Sequence, residues 1–176
     1  MITKDFRPKP DDFVGCSVYL WWREGLYAQK GLRSRRKPQD HRVDHERLEI
    51  DNYSVYVYSP EMIAAEKLRA ICQQMPEYPL KPYPTPRARD FFDIQLIVSR
   101  TGVDLTSAEN LELTRQIFAA KEVPLQLLEN MGGVREFHRP DWESVRTSTK
   151  AQLKEFDYYF DFVVNLVSSM KSLWNK

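Results

Sequence analysis

The sequence predicts an α+β fold in which a small antiparallel sheet is followed by a helical bundle. Short runs of β-forming residues occupy the first third of the chain, whereas the remainder carries apolar residues at the three-to-four spacing of buried helices. A length of 176 residues with 42% hydrophobic residues is enough for one packed domain or two small ones. We therefore divide the chain into a β region at residues 1–59 and a helical region at residues 60–176.

The overall composition argues against several classes of protein. Lys and Arg total 26 against 25 Asp and Glu, so the net charge of +1 indicates no polyanionic partner by itself. Cys16 and Cys72 form no C-x-x-C pair, which argues against a disulfide framework and fits a reducing cytosol. The N-terminus has no apolar signal segment, and acidic residues interrupt the apolar stretch at 156–174. We therefore expect a cytoplasmic protein that does not enter a membrane.

The β region contains four candidate strands, one of them LYAQ at 26–29, and one basic run at residues 30–47. Residues 13–22, FVGCSVYLWW, are rich in β-formers, and the candidate strands at 47–50 and 53–59 flank the turn residues Asp51 and Asn52. The intervening basic run carries several Lys and Arg residues but also compensating acidic ones. It is interpreted either as a solvated loop or as a segment that contacts RNA phosphates.

Capping residues and helix breakers set the boundaries of the predicted helices. Ser59 is a good N-cap and Pro60 suits the first helical position. A proline-rich connector at residues 76–86 cannot be regular, and Gly102 closes the helix that follows it. The predicted helices span residues 59–75, 87–100, 107–120, 124–131 and 149–174.

Two opposite charges fall on the apolar faces of consecutive predicted helices. In a helical projection, Lys67 lies near the centre of the apolar face of the first helix. Asp90 lies among the apolar positions of the next helix, whereas Asp93 projects elsewhere, toward Arg89 and Arg100. A buried ammonium requires a counter-charge or an anionic ligand, because an unpaired buried charge is costly. We therefore expect Lys67 and Asp90 to meet or to line one cleft.

This pair has two interpretations that the spacing leaves open. The first is a structural salt bridge in a non-catalytic remnant or interaction module, in which Lys67→Met is tolerated. The second is an active site, in which the lysine binds a triphosphate and the aspartate orients the lysine or a metal-bound water.

The residues around both charges resemble the AbiEii/AbiGii-type nucleotidyltransferase toxin family. A strand leads into a helix with the motif A-E-K-L-R-A, which contains Lys67, and the later motif R-A-R-D-F-F-D contains Asp90. Family members carry A-E-K-L-x-A and R-x-[KR]-D-x-x-D at these places. The resemblance covers residues 47–100.

The resemblance implies a polymerase-β-like nucleotidyltransferase core, of which residues 1–59 form a part. It also implies a bacterial abortive-infection toxin that transfers a nucleotide from an NTP, with Mg²⁺ as cofactor, to an acceptor such as RNA. An antitoxin is the implied partner. Within the motifs, Arg87 is expected nearer the site than Arg89. The resemblance assigns Lys67 and Asp90 to catalysis and Arg87, Arg89 and Asp93 to substrate binding.

The chain departs from the first motif of the family, a Gly-Ser dipeptide followed by two metal-binding carboxylates. No Gly-Ser dipeptide occurs in the sequence, and Glu49 is the remaining candidate for a metal-binding carboxylate on the sheet. We therefore expect a divergent member, a truncated product, or one half of a split enzyme whose complementary chain supplies the missing motif.

Overall fold

The structure, a computed structural model, describes residues 45–50, 53–150 and 152–175, and most of this part is helical. A hairpin of two antiparallel strands comes first, β1 (His45–Ile50) and β2 (Tyr53–Tyr58). In its register His45 lies opposite Tyr58 and Ile50 opposite Tyr53. The candidate strands at 13–22 and 26–29 and most of the basic run lie outside the described residues. The structure therefore shows an α-rich fold, and the polymerase-β-like core remains a prediction.

Helices follow the hairpin along the described chain. Ser59 Oγ accepts the N–H of Met62 at 3.3 Å, and Ser107 Oγ accepts the N–H of Asn110 at 3.3 Å, so both predicted N-caps are confirmed. Gly102 closes its helix with a φ of 69°, a left-handed conformation that favours glycine. The helices are α1 (Pro60–Cys72), α2 (Ala88–Thr101), α3 (Ala108–Ala120), α4 (Arg135–His138), α5 (Trp142–Ser148) and α6 (Phe156–Ser169), with 3₁₀ segments at Leu125–Val134, Arg139–Asp141 and Lys171–Leu173.

The predicted helix at 149–174 is wrong at both ends. α6 is shorter, because the backbone of Thr149 and of Glu155 is extended and the α-helix gives way to a 3₁₀ turn near its end. The apolar spacing continues past both ends because Leu153 and Trp174 pack against the core from outside the helix. Neither α6 nor any other helix in the described part of the chain is long and apolar enough to cross a membrane.

Three further segments differ from the sequence prediction. α1 ends at Cys72 instead of residue 75, since Gln74 and Met75 donate to carbonyls three residues back and form a turn. The segment after Pro124 is a 3₁₀ helix that passes through both glycines instead of ending at them. α5 was not predicted, because its short polar sequence has no apolar period, although Trp142 at its start is buried.

The hydrophobic core lies where α1, α2 and α6 meet. α2 packs against α1 on one side and against α6 on the other, and α3 packs against α1. Phe91 of α2 stacks on Phe160 of α6 with ring centroids 5.1 Å apart, and both side chains are fully buried. Because two helices cover α2, its first half is buried around most of its circumference, and charged residues there enter the interior.

Candidate functional site

Lys67 of α1 lies in the interface with α2 and bonds two carboxylates. Its Nζ lies 2.9 Å from Oδ1 of Asp90 and 2.7 Å from Oδ2 of Asp93. The exposed fraction of the side chain is 15% for Lys67, 8% for Asp90 and 0% for Asp93. The predicted meeting of Lys67 and Asp90 is therefore confirmed.

The prediction that Asp93 lies away from the Lys67–Asp90 pair is wrong. Asp93 is within electrostatic range of Arg89, as the projection indicated, but it is also fully buried and accepts a hydrogen bond from Lys67. Residues three apart are neighbours on a helix surface, so Asp90 and Asp93 can face the same partner. The helical projection placed them on different sides because it treated α2 without the two helices that cover it.

Arg87, immediately before α2, completes a group of four charged residues. Its Nε donates a hydrogen bond to Oδ2 of Asp90, the oxygen that Lys67 does not use. Arg89 instead donates to Oγ of Ser148 on α5 at 2.9 Å. The prediction that Arg87 lies nearer the Lys67–Asp90 pair is confirmed. Lys67, Arg87, Asp90 and Asp93 are termed the Lys67 cluster, and their formal charges cancel.

The electrostatics of the Lys67 cluster keep the lysine protonated. Burial lowers the pKa of Lys67, but the charges of Asp93 and Asp90 outweigh it, so the pKa lies above its usual value of 10.5. Burial raises the pKa of Asp93 above its usual range, although the Lys67 ammonium opposes that rise. Because the pKa of Lys67 is raised by folding, its stabilisation is fully present below pH 10.5 and is lost only as the pH rises through the folded value.

Two side chains near α4 and α5 cap the start of α2. The backbone N–H of Arg87 donates to Nδ1 of His138 at 3.0 Å, and that of Ala88 donates to Oδ2 of Asp141 at 3.1 Å. His138 is fully buried beside Phe91, and burial lowers its pKa to about 4. The imidazole is therefore neutral at neutral pH, with its proton on Nε2. This cap fixes Arg87 next to Asp90, and no local sequence spacing could have indicated it.

The carboxylates of the Lys67 cluster do not fit the Mg²⁺ site that the family resemblance implies. Both oxygens of Asp90 accept hydrogen bonds from cationic side chains, and Asp93 is fully buried against Lys67. Within the described residues, no group of three or more His, Cys, Asp or Glu side chains could hold a metal ion. The side chain of Glu49, the predicted metal ligand, lies outside the described part. We therefore derive no metal-dependent step from this cluster.

Within the described part of the chain, Lys67, Asp90 and Asp93 form a closed contact between α1 and α2. A groove of about 310 Å³ lies elsewhere, between the 3₁₀ segment Leu125–Val134 and the end of α6. On the other side of α1, Glu66 pairs with Arg69 at 2.6 Å, as expected for an outward-facing residue with a structural contact. Arg87, 37% exposed, has the most exposed side chain of the Lys67 cluster.

The two motifs that contain Lys67 and Asp90 lie within a longer match between this chain and a protein family. A family model described as "Nucleotidyl transferase AbiEii toxin, Type IV TA system" matches residues 31–164, which is most of the chain. The match contains the Lys67 cluster and the His138 cap, and it extends well beyond the two motifs. No curated protein and no solved structure matches the chain.

Proposed function

Because the chain belongs to the AbiEii nucleotidyl transferase toxin family, we propose that it transfers a nucleotide from a nucleoside triphosphate to RNA. Family membership supports a nucleotidyltransferase-like toxin of a type IV toxin–antitoxin system. The triphosphate donor, the RNA acceptor and a cognate antitoxin as partner are the finer parts of this proposal.

The observation that carries the proposal is the fixed ammonium of Lys67 between Asp90 and Asp93. Two carboxylates of α2 hold this charge at 2.9 and 2.7 Å, so its position is set before any substrate arrives. In this proposal Lys67 supplies the positive charge that faces the triphosphate, and Asp90 links Lys67 to Arg87. Asp93, which is fully buried, is proposed to position Lys67 instead of touching substrate.

Arg87 is proposed as the phosphate-binding residue of the Lys67 cluster. Its side chain is 37% exposed, against 15% for Lys67. Asp90 engages Nε of Arg87, which leaves the two terminal nitrogens of the guanidinium as donors. A planar guanidinium pairs well with the oxygens of a phosphate. Arg89, which bonds Ser148, is proposed to hold α2 against α5 near this substrate contact.

The metal-binding carboxylates of the reaction are proposed to come from outside the Lys67 cluster. Lys67 and Arg87 engage both oxygens of Asp90 and one oxygen of Asp93, and Asp93 is fully buried. The sources consistent with this arrangement are residues outside the described part of the chain, the side chain of Glu49, or a complementary chain.

Replacing Arg87 by methionine is expected to lower nucleotide transfer about a hundredfold, because it removes a preorganised positive charge at the transferred phosphates. Transfer is measured as incorporation of an α-labelled nucleoside triphosphate into RNA in the presence of Mg²⁺. Arg115→Met is the matched control, since Arg115 is 40% exposed and also pairs with a carboxylate three residues away, Glu112. Equal activity of the two variants would contradict the role of Arg87.

A non-catalytic interaction module is the second candidate function. The observation that favours it is the neutral, closed Lys67 cluster, which satisfies its own charges. In that case the cluster only holds α1 against α2. Absence of transfer by the wild-type chain, with the products of its neighbouring genes added, would support this module and reject the transferase.

A further inference from the structure

The connector between α1 and α2, residues 76–86, is anchored at both ends. Near its start, Tyr78 is buried, and its hydroxyl accepts a hydrogen bond from Nε2 of Gln73 at 3.3 Å. Near its end, Thr85 donates its backbone N–H to Oε1 of Gln74 at 2.8 Å, and its hydroxyl contacts the same oxygen. The intervening residues therefore form a loop with defined ends on the surface of α1.

The tip of this connector, residues 79–84, exposes large apolar side chains. Leu80 is 64% exposed and Tyr83 is 84% exposed, the highest values among the large hydrophobic side chains that the structure describes. Three prolines in the tip restrict its backbone, so little conformational entropy remains to be lost on binding. Apolar side chains displayed on a restrained surface loop are typical of a binding surface.

The charges within the sequence from Pro79 to Ala88, which contains the connector tip, are all positive. No acidic residue occurs between Tyr78 and Arg89. Partial burial and the charge of Arg87 lower the pKa of Lys81, so these two cations lie within electrostatic range of each other. Their mutual repulsion is relieved by an anion that both can contact. Because Arg87 also bonds Asp90, such an anion would lie beside the Lys67 cluster.

We propose that the connector tip, through Tyr83, Leu80 and Lys81, binds single-stranded RNA beside the Lys67 cluster. Single-stranded RNA offers base faces that stack on exposed aromatic rings and phosphates that pair with Lys or Arg. The tip presents both complementary groups within a few residues. A purely apolar protein surface that covered Leu80 and Tyr83 would leave the Lys81 and Arg87 charges without counter-charges, so the charge pattern favours RNA over such a partner. The inference rests on the proposed function and names the place where its acceptor binds.

Tyr83→Ser and Lys81→Glu test this binding site in the full chain. Each is titrated into a short fluorescein-labelled single-stranded RNA at several salt concentrations without nucleoside triphosphate. Tyr83→Ser is expected to raise Kd at least about fivefold, through loss of one stacked base. Lys81→Glu is expected to raise Kd and to reduce the slope of log Kd against log salt by about one, through loss of a phosphate contact.

Matched control variants and a measurement of protein-partner binding distinguish an RNA site from other roles of the connector tip. Tyr158→Ser and Lys121→Glu remove an exposed tyrosine and an exposed lysine outside the connector and should keep wild-type RNA affinity. Wild-type affinity in both tip variants, or no RNA binding by the wild type, overturns the inference. Loss of a protein partner with unchanged RNA affinity overturns it as well and assigns the tip to that protein.

Nucleotide transfer, measured on the same samples, separates this inference from the proposed function. RNA binding that depends on Tyr83 without transfer by the wild type leaves the inference standing and contradicts the transferase. Transfer by the wild type with undiminished RNA affinity in Tyr83→Ser and Lys81→Glu contradicts the inference alone.

Discussion

Lys67→Met is expected to lower the free energy of unfolding by about 3–5 kcal/mol, because a fully buried carboxylate loses the ammonium that bonds it. Asp93 loses its hydrogen bond from Lys67 and keeps the electrostatic influence of Arg89, whereas Asp90 keeps its hydrogen bond from Arg87. The sequence alone suggested that a structural pair would tolerate this change. Because one lysine bonds two aspartates in the structure, we now expect a loss of stability instead. Urea unfolding followed by circular dichroism measures the loss.

The double variant Lys67→Met/Asp93→Asn separates folding from chemistry. It removes one cation and one anion, keeps the side chains close to their original sizes and preserves the Arg87–Asp90 pair. We expect it to recover at least about half of the stability lost in Lys67→Met, because no buried charge is left uncompensated. If Lys67 acts on the triphosphate, this folded variant transfers no nucleotide. Retained transfer would make Lys67 a purely structural residue.

Arg115→Met on α3 is the control for the loss of a charge. Arg115 is 40% exposed and pairs with Glu112, which is 57% exposed and stays solvated when it is left alone. We expect a cost of about 1 kcal/mol or less. A loss equal to that of Lys67→Met would show that the buried position of the Lys67 cluster has no special energetic role.

The contact between Lys67 and Asp90 could be predicted from the sequence, because a charge on an apolar helix face requires an opposite charge nearby. The burial of Asp93 could not. Its depth depends on the elements that pack around α2, α1 among them, and a projection of one helix contains no neighbour. The same limit hid the closure of the Lys67 cluster, since Lys67 bonds a second carboxylate that the projection placed elsewhere.

Helix ends show the same division between local and distant causes. Ser59, Ser107 and Gly102 act through backbone groups a few residues away, so their roles could be predicted. The ends of α6 could not, because Leu153 and Trp174 continue the apolar spacing while packing from non-helical backbone. The local sequence pattern therefore predicts that a residue is buried. Whether its backbone is helical depends on contacts with the rest of the fold.

The cap of α2 by His138 is a distant contact, since it joins residues 51 positions apart. Its energetic consequence is a dependence on pH. The pKa of His138 is lowered by burial from 6.5 to about 4, with Asp90 opposing and Arg87 adding to the shift. Because folding lowers this pKa, the contribution is fully present above pH 6.5 and is lost as the pH falls toward 4. The loss amounts to about 3 kcal/mol.

His138→Asn is therefore expected to flatten the fall in stability between neutral pH and pH 4, because the Asn oxygen can still accept the N–H of Arg87 but cannot be protonated. Urea unfolding across this pH range measures the free energy of unfolding of the variant and of the wild type. Both proteins share all other titrating groups, so the difference between their pH profiles reports on His138. His138→Phe, which keeps the ring beside Phe91 but removes the acceptor, should lose about 1–3 kcal/mol at every pH. Identical pH profiles for wild type and His138→Asn would mean that protonation of His138 does not open the cap. If the cap does open, Arg87 is released from its position against Asp90, and nucleotide transfer should fall over the same pH range as the stability.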